Sequence, residues 1–92
     1  MFQVTDAALE ALYKGRVDAG HAEGEVMRLI SQGDGGFGFK LDSPGFTDLV
    51  FRHNDQEVLL VSSSLNRTMG HLQMDVVSNN GKRSFVLERK NP

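Results

Sequence analysis

Gly33-x-Gly35-x-x-Gly38 reproduces the spacing of a dinucleotide-binding fingerprint letter for letter. That chemistry needs a helix directly after the glycines, whose N-terminal N–H groups hold the pyrophosphate. Here Phe37, Phe39 and Leu41 alternate with Gly38 and Lys40, the period of a strand, and no second βαβ half follows. The glycines therefore read as a turn or bulge requiring positive φ or close backbone approach. Metal chemistry would draw on His21, His53 and His71. All three fall in predicted loops or at an element end, and none has a His or carboxylate partner at helical ligand spacing. His53-Asn54-Asp55-Gln56 has the composition of a hairpin turn. Ser62, Ser63 and Ser64 have no base within local reach, so a helix cap outranks a nucleophile. Asp75 lies between Met74 and Val76 in a strand-like run, either facing outward or bonded to backbone donors. Phe37 and Phe39 share one strand face and read as core. No acid–base pair or nucleophile can be placed, so the expectation is a protein that is not an enzyme and carries no cofactor.

Composition narrows the classes further. The chain has no cysteine, which excludes disulfides, thiolate nucleophiles, and Cys-ligated zinc or iron–sulfur clusters. A net charge of −2 provides no polybasic field for nucleic acid or an anionic membrane. Apolar residues at 39% and charged residues at 24% match ordinary globular usage, so a packed core is expected. Ninety-two residues suffice for one domain, residues 1–92, and not for two. The start, MFQVTDAALEALYK, has no apolar h-region, and no run reaches the length of a membrane span. The expected location is the cytoplasm.

The elements that must position these residues follow from local patterns. Phe2–Val4 is a short strand. Thr5 caps a helix with Asp6 in its first turn, and Ala8, Leu9, Leu12 and Tyr13 give it one apolar face. Gly15 weakens the helix, Gly20 and Gly24 place its end, and Asp18–Glu25 is a surface loop. Val26–Ile30, Phe37–Leu41, Leu49–Phe51 and Val58–Val61 are strands. Asp42-Ser43-Pro44-Gly45 is turn chemistry. Leu65–Met69 makes a short helical turn that Gly70 can end. Met74–Val77 and Ser84–Leu87 flank Asn79-Asn80-Gly81-Lys82, the strongest hairpin signal in the chain. The fold class is α+β, mostly β. It has one N-terminal helix and about six or seven short strands in a mixed or antiparallel sheet folded on itself.

In this order the segments resemble the HesB-like family of A-type iron–sulfur carriers, along nearly the whole chain. Thr5-Asp6-Ala7-Ala8 is similar to that family's helix start. Val26–Ile30 followed by Gly33-Asp34-Gly35-Gly36-Phe37 and its strand resembles the family's strand, Gly-Cys-Ser-Gly loop and next strand. Val58–Val61 with Ser62–Leu65 resembles Val-x-Val-Asp-x-x-Ser-Leu. Gly70 with Met74-Asp75, Gly81 through Phe85, and Asn91-Pro92 resemble the remaining landmarks. The resemblance implies a HesB-like domain. It also implies three cysteine ligands that are not matched here: the loop cysteine falls on Asp34, and a Cys-x-Cys pair would follow Asn91-Pro92.

The expected function is a non-catalytic binding or interaction module on this scaffold, linked to iron–sulfur assembly but unable to hold a cluster on its own cysteines. Its expected contact surface is Gly33, Asp34, Gly35, Gly36 and Phe37, because glycines let a partner's backbone approach and Asp34 is the one charge among them. The partner classes are another protein or a second copy of the chain. The alternative is a divalent-metal binder in which Asp34 and other oxygen or histidine ligands stand in for thiolate.

Overall fold

The structure, a computed structural model, describes residues 1–19, 24–34 and 36–90, with residues 16–19 as backbone only. Gly20, His21, Gly35, Asn91 and Pro92 lie outside the described residues. The element order is β1 (Gln3–Val4), α1 (Asp6–Ala19), β2 (Val26–Gln32), β3 (Gly36–Asp42), β4 (Leu49–His53), β5 (Gln56–Val61), α2 (Ser63–Thr68), β6 (Leu72–Asn79) and β7 (Lys82–Arg89). The strands divide between two mixed sheets, of order β3-β2-β5-β4 and β1-β6-β7.

Three antiparallel hairpins supply most of the pairing. β2 and β3 run in register from Val26 opposite Asp42 to Gln32 opposite Gly36. β4 and β5 turn at Asn54-Asp55, and β6 and β7 turn at Asn80-Gly81. In both turns the two central residues have positive φ, 51° and 64° in the first and 53° and 77° in the second. That is the backbone of a two-residue type I′ turn, whose twist matches the flanking strands. Parallel contacts join the hairpins: β5 lies against β2, and β1 pairs with β6 across seventy residues of sequence.

β5 explains the continuous apolar run Val58–Val61, since all four residues are buried in a central strand covered on both faces. α1 packs across β5, β6 and β4, placing Ala8 and Leu12 in a core with Phe2, Leu29, Leu59 and Met74. Aromatic rings bridge the two sheets: Phe39 meets Phe85 at 5.3 Å and Phe2 meets Phe51 at 6.1 Å, both edge-on.

Thr5 caps α1 as its position predicts, accepting a hydrogen bond from the Ala8 N–H at 3.2 Å. Its hydroxyl also donates to Asp75 Oδ1 at 2.7 Å, and Asp75 Oδ1 accepts from the Val76 N–H at 2.8 Å. Asp75 is therefore a half-buried strand residue that fastens the start of α1 to β6. These donors, the Thr5 hydroxyl foremost, hold its carboxyl below the usual value. The second helix starts two residues earlier than its apolar residues suggest, because Ser62 caps it by accepting from the Leu65 N–H at 3.2 Å. No helix among the described residues is long and apolar enough to cross a membrane.

Candidate functional site

The glycine loop joins β2 to β3. The Asp34 N–H donates to the Gln32 carbonyl, and Asp34 Oδ1 accepts from the Gly36 N–H at 3.0 Å. The aspartate thus closes its own turn, with its side chain at an exposed position. Neither Gly33 nor Gly36 has positive φ; among the described glycines that conformation occurs at Gly24 and Gly81. Of the two readings, positive φ does not hold at Gly33 or Gly36, Gly35 lies outside the described residues, and what the neighbouring glycines give is space. A Cβ on Gly38 would come within 2.7 Å of Gln32 Nε2, so the Gln32 amide lies directly over that strip of backbone. The fingerprint spacing carries no nucleotide site geometry, since β3 follows it where a helix would be needed.

Of the five residues singled out by sequence, four are described: Gly33 and Asp34 in the turn, and Gly36 and Phe37 at the start of β3. Phe37 is half-buried, with its ring edge-on to Phe39 at 6.0 Å. His53 is half-buried and packs on Tyr13 at 5.5 Å, while His71 is exposed. Among the described residues, no group of three or more His, Cys, Asp or Glu side chains is placed to hold a metal ion. Two open grooves mark the surface. One, of about 460 Å³, runs between the outer face of β2 and β3 and helix α2. The other, of about 430 Å³, lies along the N-terminal strand beside Phe51 and Gln73. Gly33, Asp34, Gly36 and Phe37 line neither.

A denser polar cluster among the described residues lies elsewhere. Arg28, on the outer face of β2, donates from Nε to Asp42 at 2.8 Å and through both terminal nitrogens to Asp48, at 2.8 and 2.6 Å. Asp48 Oδ2 also accepts from the Gly45 N–H at 2.6 Å. The Arg28 and Asp48 side chains are only 15% and 6% exposed, so the fork is shielded from water and its two bonds are of the strong, charge-assisted kind. The guanidinium holds the Asp48 carboxyl below the usual range against the opposing effect of burial. Asp42 is lowered too, first by the Ser43 N–H and then by Arg28. The Arg28 guanidinium is raised in turn, chiefly by Asp48. This clamp pins the loop 43–48 across the end of the sheet. Sequence reasoning missed it, although a visible signal existed: Arg28 is the lone charge in the apolar run Val26–Ile30.

The comparisons with solved structures decide the fold. Escherichia coli SufA, involved in biosynthesis of iron–sulfur clusters, superposes with a TM-score of 0.65 and 25% identity, over 96% of this chain and 84% of that one. The fold is that of the HesB-like A-type iron–sulfur carriers. IscA, solved with a [2Fe-2S] cluster, gives a TM-score of 0.62 at 17% identity over 99% of this chain and 86% of that one. A protein from Aquifex aeolicus gives 0.60 at 22% identity over 99% and 91%. No protein-family model matches the chain, and no curated protein matches it by sequence.

IscA was solved with a [2Fe-2S] cluster, and the residues here do not fit one. The 92 residues contain no thiolate, the ligand such clusters are held by. Asp34, where the resemblance puts the loop cysteine, is a single carboxylate engaged with the Gly36 N–H.

Proposed function

We propose that the chain is a non-catalytic, cytoplasmic interaction module. It keeps the shape of an A-type carrier and works beside iron–sulfur assembly without holding a cluster on cysteines of these 92 residues. The observation that carries this reading is the carrier fold, matched over 96% of the chain, in a sequence with no cysteine. In this reading Gly33, Asp34, Gly35, Gly36 and Phe37 form the contact surface. An exposed turn beside a glycine strip, with one carboxylate on it, suits the backbone of a protein partner. The divalent-metal alternative ranks lower because the described residues assemble no donor set around Asp34.

Two measurements test it. Anaerobic reconstitution with iron and sulfide, followed by desalting, is expected to leave the protein colourless and free of bound iron. A stoichiometric, stable cluster would sink the proposal, and a divalent ion retained stoichiometrically through purification would favour the metal reading. Addition of an A-type carrier protein to isotope-labelled chain is expected to shift backbone amide resonances of residues 33–37. Unchanged resonances there at saturating carrier, with shifts elsewhere, would move the contact surface off this loop.

A further inference from the structure

We propose that the free edge of β7 is a docking strip for an extended, acidic segment of a partner protein, which joins the sheet as a further strand beside β7. The sheet ends there: its order is β1-β6-β7, so β7 has β6 on one side and no strand on the other. The hydrogen-bond pattern decides which groups face outward. In a two-residue hairpin the residues flanking the turn form a hydrogen-bonded pair, here Asn79 with Lys82, and the pairs alternate from there. The Lys90 N–H donates to the His71 carbonyl at 3.2 Å, which keeps the same alternation at the far end. Arg83, Phe85, Leu87 and Arg89 therefore sit in the pairs without such bonds, and their N–H and C=O groups point away from β6 along the open edge. An edge of this kind is a template for another strand.

The other edges are less suited. β1 has two residues, and β4 carries a register shift between Phe51 and Arg52, which breaks the regular row of donors and acceptors. β3 is in register, but it contains Gly36 and Gly38 and bears one lysine and one aspartate, so no single sign of charge marks its edge. β7 pairs without a shift over all 8 residues and contains neither glycine nor proline.

Charge selects the occupant. Side chains alternate along a strand, so Arg83, Phe85, Leu87 and Arg89 share one face, the side on which Phe85 meets Phe39 and both Phe85 and Leu87 pack against the core. Phe85 and Leu87 are half-buried, and the two arginines that bracket them are exposed. Among the described residues neither arginine forms an ion pair, nor does the adjoining Lys82. Arg83 acts on Glu10 only at a distance, and Glu10 is held by Lys14. Glu88 lies on the other face, accepting from Gln73 Nε2 at 2.9 Å. A second copy fits this row poorly. Two β7 edges aligned antiparallel over their full length would set Arg83 of one copy against Arg89 of the other, and like charges directly opposite destabilise a strand pair. A strand with a carboxylate at each end and apolar residues between them meets both arginines and extends the apolar row of Phe85 and Leu87.

The probe is the acetylated, amidated heptapeptide Glu-Thr-Val-Thr-Val-Thr-Glu, whose Glu and Val residues fall opposite that row in an antiparallel pairing. Titrated into the isotope-labelled chain, it is expected to slow hydrogen exchange at the amides of Arg83, Phe85, Leu87 and Arg89, and to leave Ser84 and Val86, already bonded to β6, unchanged. The same peptide with Lys for Glu is expected to bind more weakly, with the gap closing as salt rises. N-methyl groups on the two Val amides, which face β7, should weaken binding at least about tenfold, the scale of two main-chain bonds lost. N-methyl groups on the Thr amides face away from β7 and should be tolerated. Arg83→Glu combined with Arg89→Glu, both at exposed positions, should reverse the preference between the Glu and Lys peptides, with the circular dichroism spectrum of the parent. The proposal is overturned if the Glu peptide protects none of the four amides up to millimolar concentration, if the peptide methylated at Val binds as the unmethylated one does, or if the double variant keeps the parent's preference. Protection of those amides in the free chain that grows with protein concentration would also overturn it, assigning the edge to a second copy.

Discussion

Strand β3 is bounded by two connections built in opposite ways. The one before it, through Gly33 and Asp34, is rich in glycine and closed by local bonds alone, from the Asp34 N–H to the Gln32 carbonyl and from the Gly36 N–H to Asp34. The one after it, residues 43–48, is locked by a shielded guanidinium fork that reaches back to β2. The first carries the motif-like letters, and the second carries the interactions that fix a loop in one shape. An exposed self-closing turn can be altered without disturbing what it joins. A clamp linking residues 28 and 48 ties the loop to the sheet, so its loss is felt by the whole fold.

The largest expected effect falls on the clamp. Asp48→Ala leaves Arg28 half-paired at a shielded site and frees the Gly45 N–H. It should cost about 2–3 kcal/mol, somewhat below the loss for breaking a fully buried pair. Asp34→Ala should change stability by no more than about 0.5 kcal/mol, as surface substitutions usually do. Urea unfolding of the two variants against the parent measures both. Equal losses would erase the contrast between the two connections.

Acid should act through the clamp as well. Asp42, Asp48, Asp75 and Glu10 all have carboxyls lowered in the folded chain, Glu10 by the Lys14 ion pair. A carboxylate lowered by folding adds stability that is fully present above its unfolded value and lost as pH falls through the folded one. Stability should therefore hold above about pH 4 and decline below it, since the ordinary value for Asp is 3.8. Asp48→Asn should flatten that decline. Urea midpoints measured from pH 6 down to pH 2 for the parent and this variant would show it. A parent and an Asp48→Asn chain with parallel curves would remove Asp48 from the acid response.

The same contrast explains what could be read from the sequence. Local signals carried through: Asn80-Gly81 became a left-handed turn, Thr5 and Ser62 became caps, and the run Val58–Val61 became a buried strand. All of these depend on residues within a few positions of one another. The division into two sheets rests on β1 meeting β6, seventy residues away, and no local pattern encodes that. The Arg28 clamp failed to show for the same reason, since its partners lie fourteen and twenty positions along. The glycine loop misled in the opposite sense. Four glycines in six residues suggest special backbone angles, whereas Gly33 and Gly36 adopt ordinary ones.

The smallest effect expected is also the one that separates the two reasons for a glycine. At Gly33 a Cβ meets nothing within 4 Å, and φ is not positive. Alanine there should fit the native backbone and restrict the unfolded chain, so Gly33→Ala should be neutral or stabilising, by up to about 0.5–1 kcal/mol. At Gly81 a Cβ also meets nothing within 4 Å, but φ is +77°, a region that an L side chain enters at a cost of roughly 1 kcal/mol or more. Gly81→Ala should therefore destabilise by about that amount while adding no clash. The pair holds steric contact constant and varies the backbone alone. If Gly33→Ala destabilised as much as Gly81→Ala, the loop before β3 would be under a conformational constraint after all. It would then have to be counted with the clamped connection on the other side of the strand.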